Sequence, residues 1–192
     1  MTVQLPIHLD KPGFINWVER QEGRYELVGG RVVMMPGASR GHGLIVRNLV
    51  VLLHNQLDPR EWTVIADFGL DLGPETLRYP DIVVDRAGGG LGEHVATAPV
   101  LIAEVLSPST AEIDLGDKAA EYLQIPTLSA YLVFAQNQPK AWVWMHRSNG
   151  FASAPTVIIG SDKTVYVARL NLSLPLAAVY AGIDASSAAG PQ

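Results

Sequence analysis

The chain predicts an α/β (α+β) fold in which a central mixed β-sheet is flanked by helices. Three observations carry that expectation. The element order reads helix, hairpin, helix, strands, helix, strands. Residues 100–106 form a nearly unbroken apolar run, as a strand covered on both faces requires. Residues 43–57 place Leu44, Ile45, Leu49, Leu52, Leu53 and Leu57 at helical spacing, a stripe wide enough for a largely buried helix.

Taken in order, Asp10-Lys11-Pro12 starts a helix, with proline near the first turn. Phe14, Trp17 and Val18 share one face, and Gly23 is a candidate end. Two β-rich runs, 25–28 and 31–35, flank Gly29-Gly30 and predict a tight hairpin. After the helix at 43–57, residues 63–72 alternate as one strand, and Pro80-Asp81 opens another. Residues 86–98 predict a loop around Gly88-Gly89-Gly90. Ser107-Pro108-Ser109-Thr110 predicts a turn, Asp114 an N-cap, and residues 115–124 a helix stopped by Pro126. Residues 130–134 and 141–145 predict strands. Trp142 and Trp144 in the second of these serve packing or a subunit interface. Weaker strands follow over 151–172 and a short helix over 174–181. One domain is expected over 1–185, with a small polar tail at 186–192 that predicts disorder.

The 192 residues suffice for a sizeable core, and 48% hydrophobic against 17% charged residues is a globular composition. There is no cysteine, which excludes disulfides, thiolate-held zinc and a thiol nucleophile. That absence, with no signal-peptide pattern at the N-terminus and no apolar run of the ~20 residues a membrane span needs, predicts a cytoplasmic protein with no membrane partner. The net charge of −5 argues against a protein that coats nucleic acid non-specifically. It leaves a nuclease open. Eight of the nine basic residues in the first 90 positions are arginines, whose planar fork suits phosphate. Singly, each also reads as part of a solvated mixed surface.

Candidate chemistry lies in carboxylates inside apolar strands. Asp81 opens Ile82-Val83-Val84, and Glu104 interrupts Val100-Leu101-Ile102-Ala103-Glu104-Val105-Leu106. Burying such charges is costly unless they are compensated, and a divalent cation held by oxygens would do so. The backbone carbonyl of Val105 is a natural third ligand. Lys118, near the start of the next helix, can supply a positive charge or, with a lowered pKa, activate water. Tyr122 follows one turn later on the same face, placed to orient the lysine or touch substrate. Glu26, in an otherwise apolar strand, is the candidate for a further acidic group.

Pro80-Asp81, Glu104-Val105-Leu106 and Lys118 together resemble the PD-(D/E)xK restriction-endonuclease-like superfamily, and more narrowly its Uma-type restriction endonucleases. The resemblance also covers residues 25–30, His42 at the head of a helix, residues 107–110, and 114 through Lys118 to Tyr122. It runs from about residue 19 to 147. It implies a central mixed sheet with helices on both sides and a Mg²⁺- or Mn²⁺-dependent nuclease site. Asp81 and Glu104 would be its ligands, and His42 and Tyr122 candidate substrate contacts. It further implies a nucleic-acid substrate, DNA foremost, and a homodimer that cuts two strands. One departure stands out. The lysine expected two residues after the glutamate is Leu106, and Lys118 would take its role from the following helix.

Structural alternatives exist for each residue. Asp81 could cap a turn, Glu104 could form a buried salt bridge with Lys118, and Glu26 could face solvent. His42 could be a polar residue of a first helical turn, and Tyr122 a core residue with a satisfied hydroxyl. Two other functions compete. Gly37-Ala38-Ser39-Arg40-Gly41 matches a nucleophile elbow, with Asp81 or Glu104 and then His146 in hydrolase order. Its strand belongs to a hairpin, though, and no second glycine-rich loop appears. A nuclease-like domain that binds a partner without catalysis is the other.

Overall fold

The computed structural model describes residues 3–35, 37–106 and 113–183. Strand β1 (Val3–His8) and helix α1 (Lys11–Val18) come first. Asp10 caps α1 by accepting the Gly13 N–H at 2.9 Å. The helix stops at Val18, five residues before Gly23. The hairpin β2 (Tyr25–Val28) and β3 (Arg31–Met34) forms as expected. Gly29 and Gly30 have φ of +54° and +77°, the left-handed pair that a two-residue turn between right-twisted strands requires. Helix α2 (Arg40–Gln56) begins before Gly43 because Ser39 caps it.

The run at 63–72 is two strands in different sheets, β4 (Trp62–Ala66) and β5 (Leu70–Asp71). Asp67 breaks it with a φ of +54°. The chain returns through β6 (Leu77–Arg78), β7 (Ile82–Arg86) and β8 (Leu101–Leu106). A π-helical turn, Ile113–Asp117, then leads into α3 (Lys118–Tyr122). Asp114 therefore lies inside a helical turn instead of capping one. Strands β9 (Ala130–Ala135), β10 (Lys140–Met145), β11 (Thr156–Ile159), β12 (Thr164–Val167) and β13 (Leu172–Pro175) follow, and then α4 (Leu176–Val179). Leu174, expected in the last helix, is in β13. The turn expected at 107–110 and the tail at 186–192 lie outside the described residues.

A six-stranded sheet runs β11-β10-β9-β8-β7-β4, and a five-stranded sheet β1-β3-β2-β6-β5. The large sheet is mixed. Strands β8 and β9 are parallel, joined by a crossover that carries α3, and its other pairs are antiparallel. Alternate residues of its central strands pack on opposite faces. Ile82, Val84, Ala103, Leu132 and Phe134 meet Ile45, Leu49 and Leu53 of α2. Val83, Ile102, Tyr131 and Val133 meet Ala119 and Tyr122 of α3. Trp144 stacks on Tyr131 in the second core, with centroids 5.3 Å apart, so it serves packing. A third core joins Phe14 of α1 to Leu27, Val32 and Leu77 of the smaller sheet.

The chain crosses between the sheets three times, from β3 through α2 to β4, from β4 to β5 and from β6 to β7. The last two crossings meet where the Asp67 N–H donates to the Asp81 carbonyl at 3.1 Å. Tyr79, Pro80 and Asp81 make the last crossing, beside the C-terminal end of β8.

Candidate active site

Glu104 shares the strand face of Ile102, and so points at α3. That helix brings Lys118 to it. The Lys118 Nζ donates to Glu104 Oε1 at 2.8 Å, and the Tyr122 hydroxyl, one turn on, donates to the same oxygen at 3.2 Å. Glu104 Oε2 accepts the Asp81 N–H at 3.3 Å. The Asp81 carboxylate is held twice, with Oδ2 accepting the Val105 N–H at 2.8 Å and Oδ1 lying 3.0 Å from His42 Nε2. Residues from α2, the turn before β7, β8 and α3, far apart in sequence, thus form one network. Burial raises the Asp81 pKa, but the His42 hydrogen bond and charge, the Val105 N–H and the Lys118 charge outweigh it. The carboxyl is held below its ordinary value and stays ionised at neutral pH.

The strand register gives Val105 a particular setting. Ile82 pairs with Ala103, so Val105 stands opposite Pro80. Within a strand the N–H and C=O of one residue face the same neighbour. The Val105 N–H already points at Asp81, so its carbonyl faces that side too. In a regular ladder that carbonyl would accept from residue 80, and proline has no N–H to give.

Glu26 does not face solvent. It is 1% exposed, and Arg78, Glu104 and Lys118 are 3%, 4% and 2% exposed, so four charged groups are buried together. Glu26 Oε1 accepts the Tyr79 N–H at 3.1 Å and lies 3.7 Å from Lys118 Nζ. Its Oε2 accepts from Arg78 Nη1 at 3.1 Å. Glu26 therefore meets the site through the lysine, with both oxygens engaged. Arg78 and Glu121 are the residues that the sequence reading missed. Arg78 donates through Nε and Nη2 to the two oxygens of Glu121, at 2.8 Å each. Burial opposes its charge, but Glu121 and Glu26 more than offset that and raise its pKa. The available signal was an arginine between Leu77 and Tyr79, directly before the Pro80-Asp81 motif.

Tyr122 is fully buried, its ring edge-on to Tyr131 with centroids 5.2 Å apart. It acts here by orienting Glu104. His42 sits in the first turn of α2 and touches Asp81. Ser39, the alternative nucleophile, is the α2 N-cap. Its Oγ accepts the His42 N–H at 3.2 Å and a hydrogen bond from Gln136 Nε2. His146 packs edge-on against Phe151.

Among the described residues, no group of three or more His, Asp or Glu side chains is arranged to hold a metal ion. The donors that fit a cation are two carboxylates and a strand carbonyl, all hard oxygens. That set suits Mg²⁺, which binds through one or two carboxylates and keeps several waters.

A family model described as "Uma2: Putative restriction endonuclease" matches residues 12–177. The chain belongs to this family. Two Synechocystis proteins are similar to it. Uncharacterized protein slr1290 is 28% identical over 144 residues, covering 71% of this chain and 74% of that protein. Uncharacterized protein sll1609 is 32% identical over 123 residues, covering 62% and 70%. The Uma2 chain also shares its fold with a crystal structure of a putative nuclease belonging to DUF820 from Anabaena variabilis. The TM-score is 0.73 at 18% identity, over 91% of this chain and 98% of that one. The restriction-endonuclease-like fold and a nuclease-like function class follow. No helix of the described residues is long and apolar enough to cross a membrane.

Proposed function

We propose that this Uma2 protein is a Mg²⁺- or Mn²⁺-dependent endonuclease that hydrolyses DNA phosphodiesters. The observation that carries the reading is the meeting of Asp81, Glu104 and Lys118 through hydrogen bonds of 2.8–3.3 Å at one end of the parallel strand pair. Asp81, Glu104 and the Val105 carbonyl would hold the cation. Bound there, it would act as a Lewis acid on a phosphoryl oxygen.

The chain's own residues divide the remaining work. The Val105 N–H and His42 keep Asp81 charged and aimed. Tyr122 and Lys118 fix the Glu104 carboxylate. Lys118 Nζ, an ammonium between Glu26 and Glu104, donates to the oxygens of the pentavalent phosphorane while the proton of the attacking water passes to solvent and the P–O bond to the leaving sugar breaks. Glu26 completes the acidic cluster by holding Lys118. His42, on the far side of Asp81 from Glu104 and partly buried, is the candidate substrate contact. A homodimer would supply one site per strand, and a cysteine-free chain suits the reducing cytoplasm.

A cleavage screen across single-stranded, double-stranded and branched DNA, with and without Mg²⁺ or Mn²⁺, tests this. Metal-dependent cleavage that disappears in Asp81→Ala is expected. Equal cleavage by that variant, or none by the wild type on any substrate, contradicts the reading. Lys118→Ala should keep metal binding and lose cleavage.

A further inference from the structure

No step of the proposed reaction uses Arg78, yet it is among the most completely paired groups in the molecule. It lies on β6, three residues before Asp81. Two of its nitrogens fork onto Glu121, and a third reaches Glu26. Glu121 stands on α3, one turn after Lys118, and Glu26 on β2 of the smaller sheet. The order Glu121–Arg78–Glu26–Lys118–Glu104 therefore alternates in sign through the interior, each neighbour within 3.7 Å. A buried Glu26 without a cation on its far side would draw the lysine to itself.

We propose that Arg78 is a positioning residue for Lys118. It clamps Glu26 on one side and Glu121, on the lysine's own helix, on the other, and so fixes where the ammonium sits against Glu104. The consequence for cleavage rests on the nuclease reading, whereas the clamp itself does not. An arginine suits the position because three carboxylate oxygens are met by one planar fork, which a lysine cannot offer. The outer end of the clamp is accessible. Glu121 is 30% exposed and lines a cavity of about 540 Å³ with Asp71, Gln124 and Thr127.

Two variants, Arg78→Gln and Glu121→Ala, test the clamp by two readouts. The first is the side-chain ammonium signal in ¹⁵N spectra. The chain has four lysines, and Lys118, buried between carboxylates, is expected to give a slowly exchanging signal in the wild type. That signal should shift and broaden in both variants while the backbone amide spectrum stays folded. The second is kinetic. kcat should fall about 10–100-fold, the scale of a misplaced catalytic group, with KM and the metal titration unchanged within about twofold. If Arg78→Gln does not fold, the more exposed Glu121→Ala decides alone. An unaltered ammonium signal overturns the proposal, as does a loss confined to KM. If the wild type cleaves nothing, the nuclease reading fails, and the ammonium signal still decides whether Arg78 holds Lys118.

Discussion

Asp81 and Glu104 are like charges on adjoining strands, and what offsets their repulsion is visible atom by atom. Burial penalises the Asp81 carboxylate, while His42, the Val105 N–H and Lys118 favour it more strongly. The sign for stability follows. A carboxyl whose pKa is lowered on folding contributes stability above its ordinary value of 3.8 and loses it as pH falls through the folded value. Asp81→Asn should therefore be less stable than the wild type by a constant amount at neutral pH, with the gap closing below about pH 4. Urea unfolding at several pH values checks this, and a gap that does not change with pH contradicts it. Asp81, Glu104 and Lys118 were legible in the sequence because a charge inside an apolar run, or one turn into the next helix, is conspicuous. Glu26 was half legible, since a hairpin position can face either way. Arg78 and Glu121 were not, because each acquires its role only from a partner 43 residues away.

At the scale of elements, α2 and the start of β7 place the site. Ser39 accepts the His42 N–H and so fixes the first turn that carries the histidine to Asp81. Ser39→Ala should cost about 0.5–2 kcal/mol, the usual range for a lost N-cap. A thermal melt measures this, and an unchanged midpoint would show that the cap does not support α2. Pro80 acts through what it lacks. In Pro80→Ala the restored N–H can bond the Val105 carbonyl, so metal binding should weaken while the fold persists. Calorimetric titration of both proteins with Mn²⁺ tests this, and equal affinities would remove Val105 from the ligand set. Helix and hairpin were readable from periodicity and Gly29-Gly30. The break at Asp67 was not, because the alternation at 63–72 continues through it while the chain changes sheets. Strand β1 also went unread. Its six residues include Pro6, which demotes a strand in sequence, yet the run pairs along the edge of the smaller sheet.

Across the whole molecule, two sheets exchange the chain at Asp67–Asp81, and the site occupies that seam. The larger sheet contributes Asp81 and Glu104, the smaller one Glu26 and Arg78, and α3 bridges them with Lys118 and Glu121. Ion pairs thus tie the sheets where the third core of Phe14, Leu27 and Leu77 does not reach the large sheet's helices. Arg78→Ala strands two carboxylates, one fully buried, and should destabilise the fold by roughly 3–5 kcal/mol. Chemical denaturation reads this directly, and a loss under about 1 kcal/mol would mean that the sheets do not depend on the network. The mixed sheet was legible as a class from the order of elements. The division into two sheets was not, because strands of two residues such as β5 and β6 carry too little pattern to be seen.

The central claim, that Asp81 and Glu104 share one cation which Lys118 serves, meets its most direct test in Mn²⁺ calorimetry on wild type, Asp81→Asn, Glu104→Gln and Lys118→Ala. The account predicts saturable binding in the wild type, no measurable binding in either carboxylate variant, and retained binding in Lys118→Ala. Binding that survives loss of either carboxylate would contradict it.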